Sequence, residues 1–260
     1  MKKTIRKLTI AVILLFALTQ FVTAAGSEFY QIQVFRLNGK LQEERVDNYL
    51  KSAYLPALHR AGIKTVGVFK PIPSDTTSGK QIFVWLPLTS LDQFNKLQNV
   101  LAKDVEYQRV GAAFLNASFD NVPYMRKESI LLKAFPYSPK FFVPKFNTKR
   151  SKRIYELRSY EGPTENLFRQ KVKMFNEGGE MNIMESLKFN AVFNAEVISG
   201  STMPNLMYMT TFADRISRDA HWKAFSNSPD WIKLKSHAEY DNSVSKHVIR
   251  LLYPTDYSDF

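Results

Sequence analysis

The same order of strand and helix signals runs twice along this chain, and that repetition limits its folds more than any other feature. Phe29 to Leu37 alternates polar and apolar residues and reads as a strand. Val46, Leu50, Ala53 and Ala57 then fall on one helical face, with Pro56 expected to kink the helix and Gly62 to stop it. Ile63 to Phe69 and Gln81 to Leu88 read as strands, and Phe94, Leu97 and Leu101 mark a second helix. Ser129 to Phe135 closes the set as a strand.

Arg153 to Glu161 begins the second set. Phe168, Val172 and Phe175 mark a helix, which Gly178 and Gly179 interrupt, and Ile183 and Leu187 extend its apolar face. Strands are predicted over Phe189 to Ile198 and Leu206 to Phe212. Trp222 and Phe225 mark the next helix, Ser228-Pro229-Asp230 is a helix start, and Val244 to Tyr253 is the last strand. Each half has the order β-α-β-β-α-β of a ferredoxin-like unit. Tyr30 corresponds to Tyr155, 125 residues later. The fold class predicted is α+β: two tandem ferredoxin-like units forming one intramolecular α+β barrel. The units span residues 25–136 and 153–260, and residues 137–152 form a basic, proline-containing linker, read as a solvated connection or an anion-binding strap.

The second half carries short stretches in a distinctive order. They are Tyr155 to Gly162 (YELRSYEG), Lys173 to Gly178 (KMFNEG), Met203 to Leu206 (MPNL), Arg218 to Phe225 (RDAHWKAF) and Leu252 to Ser258 (LYPTDYS). On these residues it resembles the NIPSNAP family, whereas the first half resembles that family only in outline. The resemblance implies two ferredoxin-like units whose sheets face each other as a dimeric α+β barrel. It implies no particular reaction.

The N-terminus has the marks of an export signal. Lys2, Lys3, Arg6 and Lys7 precede an apolar run from Leu8 to Leu18, and small residues end at Ala24-Ala25. Residues 1–24 are therefore expected to be removed, with Sec export to the periplasm or beyond. The formal charge of +12 would then fall to +8. Export turns that charge away from nucleic acid and towards anionic envelope surfaces, with the linker as one contact. The chain has no cysteine, which excludes disulfides, a thiol nucleophile and thiolate metal sites.

The first strands suggest where polar chemistry lies. Tyr155, Leu157 and Ser159 share one face, and Glu156, Arg158 and Tyr160 share the other. Tyr30, Ile32 and Val34 likewise oppose Gln31, Gln33 and Phe35. Assigning the apolar sets to the helices leaves Gln31, Gln33, Glu156, Arg158 and Tyr160 between the two sheets. A buried charge must pair, reach water or meet a ligand. That face is thus either a ligand pocket or a structural ion pair. Asn190, Asn194 and Glu196 share a face whose side the sequence leaves open.

Among the histidines, His59 suits a helix C-terminus and His221 suits packing beside Trp222. His237 falls in a polar stretch. His247, on the last strand, is a candidate general base or haem ligand, with Glu196 as another candidate base. No zinc-site spacing, Walker loop, nucleophile elbow or dinucleotide fingerprint occurs. The expected function is binding of a small polar or anionic molecule, with Arg158 meeting the charge, Tyr160 positioning it and Glu156 orienting Arg158. No cofactor or metal is predicted, with haem as the single possibility kept. The alternatives are an enzyme of the dimeric barrel type, either a cofactor-free monooxygenase or haem-related, and an envelope interaction protein. The duplication predicts a monomer with a pseudo-dimeric core.

Overall fold

The computed structural model describes residues 27–260 apart from Ser201, so the expected export signal lies outside the described residues. The first half runs β1 (Phe29–Arg36), α1 (Lys40–Tyr49), a π-helical turn (Leu50–Tyr54), α2 (Leu55–Arg60), β2 (Gly67–Pro71), β3 (Gln81–Leu88), α3 (Leu91–Lys103), α4 (Val105–Leu115) and β4 (Arg126–Ala134). The second runs β5 (Ile154–Glu161), α5 (Glu165–Phe175), α6 (Glu180–Ser186), β6 (Asn190–Ser199), β7 (Asn205–Phe212), α7 (Arg215–Asn227), α8 (Pro229–Lys235) and β8 (Lys246–Pro254). No helix among the described residues is long and apolar enough to cross a membrane.

Local chemistry sets these boundaries. Ser90, Asp104, Thr164, Asp214 and Ser228 each accept a backbone N–H from the first turn of the helix they precede. Asp104 thereby starts α4, a helix the apolar periodicity did not predict. Pro56 has no N–H to return to the turn behind it, and the helix widens to a π turn just before it. The N–H of Ile63 caps α2 by donating to the Leu58 carbonyl at 2.9 Å. That use of Ile63 moves the start of β2 to Gly67, later than the β-branched run suggests.

The eight strands close into one antiparallel barrel in the order β1-β3-β2-β8-β5-β7-β6-β4. Two junctions join the halves. β2 pairs β8 with Phe69 opposite Pro254, and β4 pairs β6 with Leu132 opposite Val197. Closure leaves no unpaired sheet edge among the described residues. Helices cover the outside, so the described residues form three cores: the barrel interior and one helix layer on each half.

The barrel interior overturns the expected assignment of faces. Tyr30, Ile32, Val34, Tyr155 and Leu157 point into it, among Phe69, Trp85 and Phe193. The rings of Trp85 and Phe193, from opposite halves, stack 5.9 Å apart. Gln31, Gln33, Glu156, Arg158 and Tyr160 therefore face the helices, and the polar pocket expected between the sheets is not formed by them. The cause is supply of donors. The packed barrel centre is walled by aromatic and aliphatic groups, while the helix layer can meet a charge with side chains of its own.

The linker is not merely a solvated connection. Phe141 and Val143 pack against the barrel core, with Phe141 5.2 Å from Trp85 in an edge contact. The Phe142 N–H donates to the Val192 carbonyl at 2.9 Å. Arg150 donates to the carbonyls of Ser258 and Asp259 at 2.5 and 2.9 Å. Lys140, Lys145, Lys149 and Lys152 stay exposed along it.

Candidate functional site

Alternation along β5 sends Glu156, Arg158 and Tyr160 towards α5 and α7. Glu156 is fully buried. Its Oε1 accepts from Arg158 Nε at 2.6 Å and from Arg218 Nη2 at 2.9 Å. Its Oε2 accepts from Arg218 Nε at 2.6 Å and Trp222 Nε1 at 2.8 Å. Burial works against the charged carboxylate, yet the Arg218 and Arg158 guanidiniums outweigh it and hold Glu156 below the usual carboxylate range. With four donors in place, Glu156 is a fixed anion that orients two arginines.

Arg158 lies flat over Trp222, its Cζ 3.4 Å from the ring centroid. Its Nη1 donates to the Tyr160 hydroxyl at 3.0 Å, and that hydroxyl meets Tyr208 Oη at 2.8 Å. Burial disfavours its charge, but the neighbouring tyrosine hydroxyls and Glu156 raise its pKa further above the usual arginine value. Lys171 on α5 is buried and donates to Glu180 Oε2 at 2.7 Å. The rings of Phe175, Tyr160 and Trp231 surround its ammonium at 4.9, 5.6 and 5.7 Å.

These groups line a cavity of about 290 Å³ between the β5–β8 sheet and the helix layer. Arg158, Tyr160, Lys171, Trp222, Trp231 and His247 face it. His247 sits opposite Tyr160 across the β5/β8 pairing, the rings 4.5 Å apart edge to face. Partial burial, then Lys171 and Arg158, push its pKa below the ordinary value. The site thus holds three cations, two buried carboxylates and a neutral imidazole at its exposed edge.

The sequence candidates separate. Glu156, Arg158, Tyr160 and His247 come together. Gln31 and Gln33 lie in the other half, where Gln33 donates to Tyr54 Oη at 2.7 Å and Gln31 to Ser129 Oγ at 2.6 Å. Glu196 pairs across from Leu206 and does not line the cavity. Burial raises its pKa, against the pull of Lys133 and Arg169. His59 meets Asp259 at 2.9 Å, and His221 packs between Phe189 and Phe212. Arg218, Trp222, Lys171 and Glu180 escaped the sequence reading of the site. Arg218 and Trp222 are spaced i, i+4 on α7, so their shared face was available in the sequence although the reading did not use it.

Among the described residues no cluster of His, Asp and Glu is arranged to hold a metal ion. The cavity, about 290 Å³, falls at the foot of the range for sites that take drug-sized ligands.

Residues 155–259 match the NIPSNAP family model. No curated protein matches the sequence. Among solved structures, a putative monooxygenase from Lactobacillus acidophilus superposes with a TM-score of 0.56 at 10% identity, covering 88% of this chain and 94% of its own. A putative monooxygenase from Fusobacterium nucleatum gives 0.52 at 8% identity, with coverages of 88% and 93%. A NIPSNAP family protein from Agrobacterium tumefaciens matches 46% of this chain and 98% of its own at 16% identity, with a TM-score of 0.38. The two longer matches share the dimeric α+β barrel fold.

Proposed function

We propose that this chain, whose residues 155–259 match the NIPSNAP family model, binds a small organic anion in the cavity under α5 and α7. One observation carries this reading: Arg158, partly buried, and Lys171, buried, face one cavity beside a neutral His247 and aromatic walls. Arg158 meets the anion, Tyr160 and His247 orient it, and Trp231 covers its apolar part. Glu156 and Arg218 hold Arg158 in place. The experiment is calorimetric titration with salicylate and with inorganic phosphate, in the wild type and in Arg158→Gln and Lys171→Met. A loss of about tenfold or more in salicylate affinity is expected from either variant. Folded variants that bind salicylate as the wild type does would refute the proposal.

A second reading makes the same site catalytic. It rests on His247, an imidazole held neutral at the cavity edge and so able to take a proton from a bound phenol or enol. Arg158 then balances the oxyanion. The putative monooxygenases similar in fold suggest this class. A His247→Gln variant that loses turnover of phenolic substrates by far more than it loses salicylate affinity supports it; unchanged turnover removes it. Sec export and contact of the exposed linker lysines with an anionic envelope surface remain part of the proposal. Sedimentation with anionic vesicles, before and after Lys→Glu changes at Lys140, Lys145 and Lys149, tests the contact.

A further inference from the structure

The barrel mouth at the Arg36 end is a second concavity, separate from the Arg158 site. Its volume is about 210 Å³, room for about seven water-sized groups at ~30 Å³ each. It lies between the two halves, because the interior-facing residues of six strands converge there. Val34, Phe83, Ile130, Leu157, Met207 and Val248 form an apolar neck. Trp85 and Phe193 stack deeper in the same interior. Barrel mouths are places where small ligands bind.

Gln81 gives this mouth its chemistry. It is the first residue of β3 and shares the interior face with Phe83 and Trp85. Its side chain is 9% exposed, and its Oε1 is buried with no hydrogen-bond partner among the described residues. A buried acceptor without a donor is costly, and such groups are few in native structures. The rim carries three cations held unequally. Arg36 is paired to Glu128 at 2.5 Å, but Lys246 reaches Glu161 only at 3.5 Å and Arg250 reaches Asp75 only at 3.8 Å. Two rim cations therefore have coordination to spare.

We propose that this mouth binds a medium-chain hydroxy acid, tail inward. The aliphatic tail fills the neck. The hydroxyl donates to Gln81 Oε1, the bond that acceptor lacks. The carboxylate meets Lys246 and Arg250 at the rim. The site is independent of the Arg158 cavity, since the two lie on opposite faces of β5 and share no lining residue.

The test uses 3-hydroxyoctanoate and octanoate as probes on the full chain, with the Met207 methyl followed by NMR. Binding of 3-hydroxyoctanoate should move the Met207 resonance and be tighter than that of octanoate by about tenfold or more. Gln81→Leu should bring the two probes to equal affinity, and Val248→Phe, which fills the mouth, should abolish both. Thermal melts check that both variants are folded. An unmoved Met207 at saturating millimolar 3-hydroxyoctanoate overturns the proposal. So does equal affinity for the two probes in the wild type, or a preference that survives Gln81→Leu.

Discussion

A carboxylate taken wholly out of water must recover from protein donors what it gives up in hydration. Glu156 does so through Arg158, Arg218 and Trp222. Removing its charge leaves two partly buried guanidiniums without their shared counter-ion, although Arg218 keeps Asp219. Glu156→Gln is therefore expected to cost about 3–5 kcal/mol, read by denaturant unfolding. The charge also sets a pH dependence. Because the folded protein holds Glu156 below the ordinary 4.5, its contribution is fully present above that value and is lost as pH falls through the lowered one. The wild type should lose stability more steeply than Glu156→Gln in that acid window. His247 offers a second measurement. Its imidazole should titrate below 6.5 in an NMR pH series, and Lys171→Met should raise that value by removing a nearby positive charge.

At the scale of the element, a strand whose two faces are both buried hides which face meets which layer. Alternation placed Tyr155 with Leu157 and Glu156 with Arg158, and those partnerships hold in β5. It could not say that the apolar pair looks into the barrel, because both layers are built from apolar side chains. The deciding information sits 62 and 66 residues away in Arg218 and Trp222, whose side chains complete the carboxylate's shell. Leu157→Ala tests the assignment. Leu157 is enclosed in the barrel, so the change should cost about 2–5 kcal/mol. It should leave the Arg158 cavity's anion affinity unaltered, because that cavity is on the other face. Element order was legible because periodicity and caps are local. Helix α4 was not, since its start depends on one cap, Asp104, directly after the preceding helix.

Across the whole molecule, the two halves satisfy each other's sheet edges through β2–β8 and β4–β6. A barrel closed within one chain needs no second copy, so light scattering should report a monomer; an obligate dimer would contradict this. The closure also frees the two halves from one another. In a symmetric homodimer, each change of a codon alters both subunits at once. Here each half has its own codons. At the repeat spacing, Gln31 and Gln33 stand where the second half has Glu156 and Arg158. Two neutral amides hydrogen-bonded to each other replace an ion pair, with no matching change in the other half. Tandem halves thus permit a division of labour that symmetry forbids: the second half carries the charged cavity, while the first has neutral amides at the matching positions.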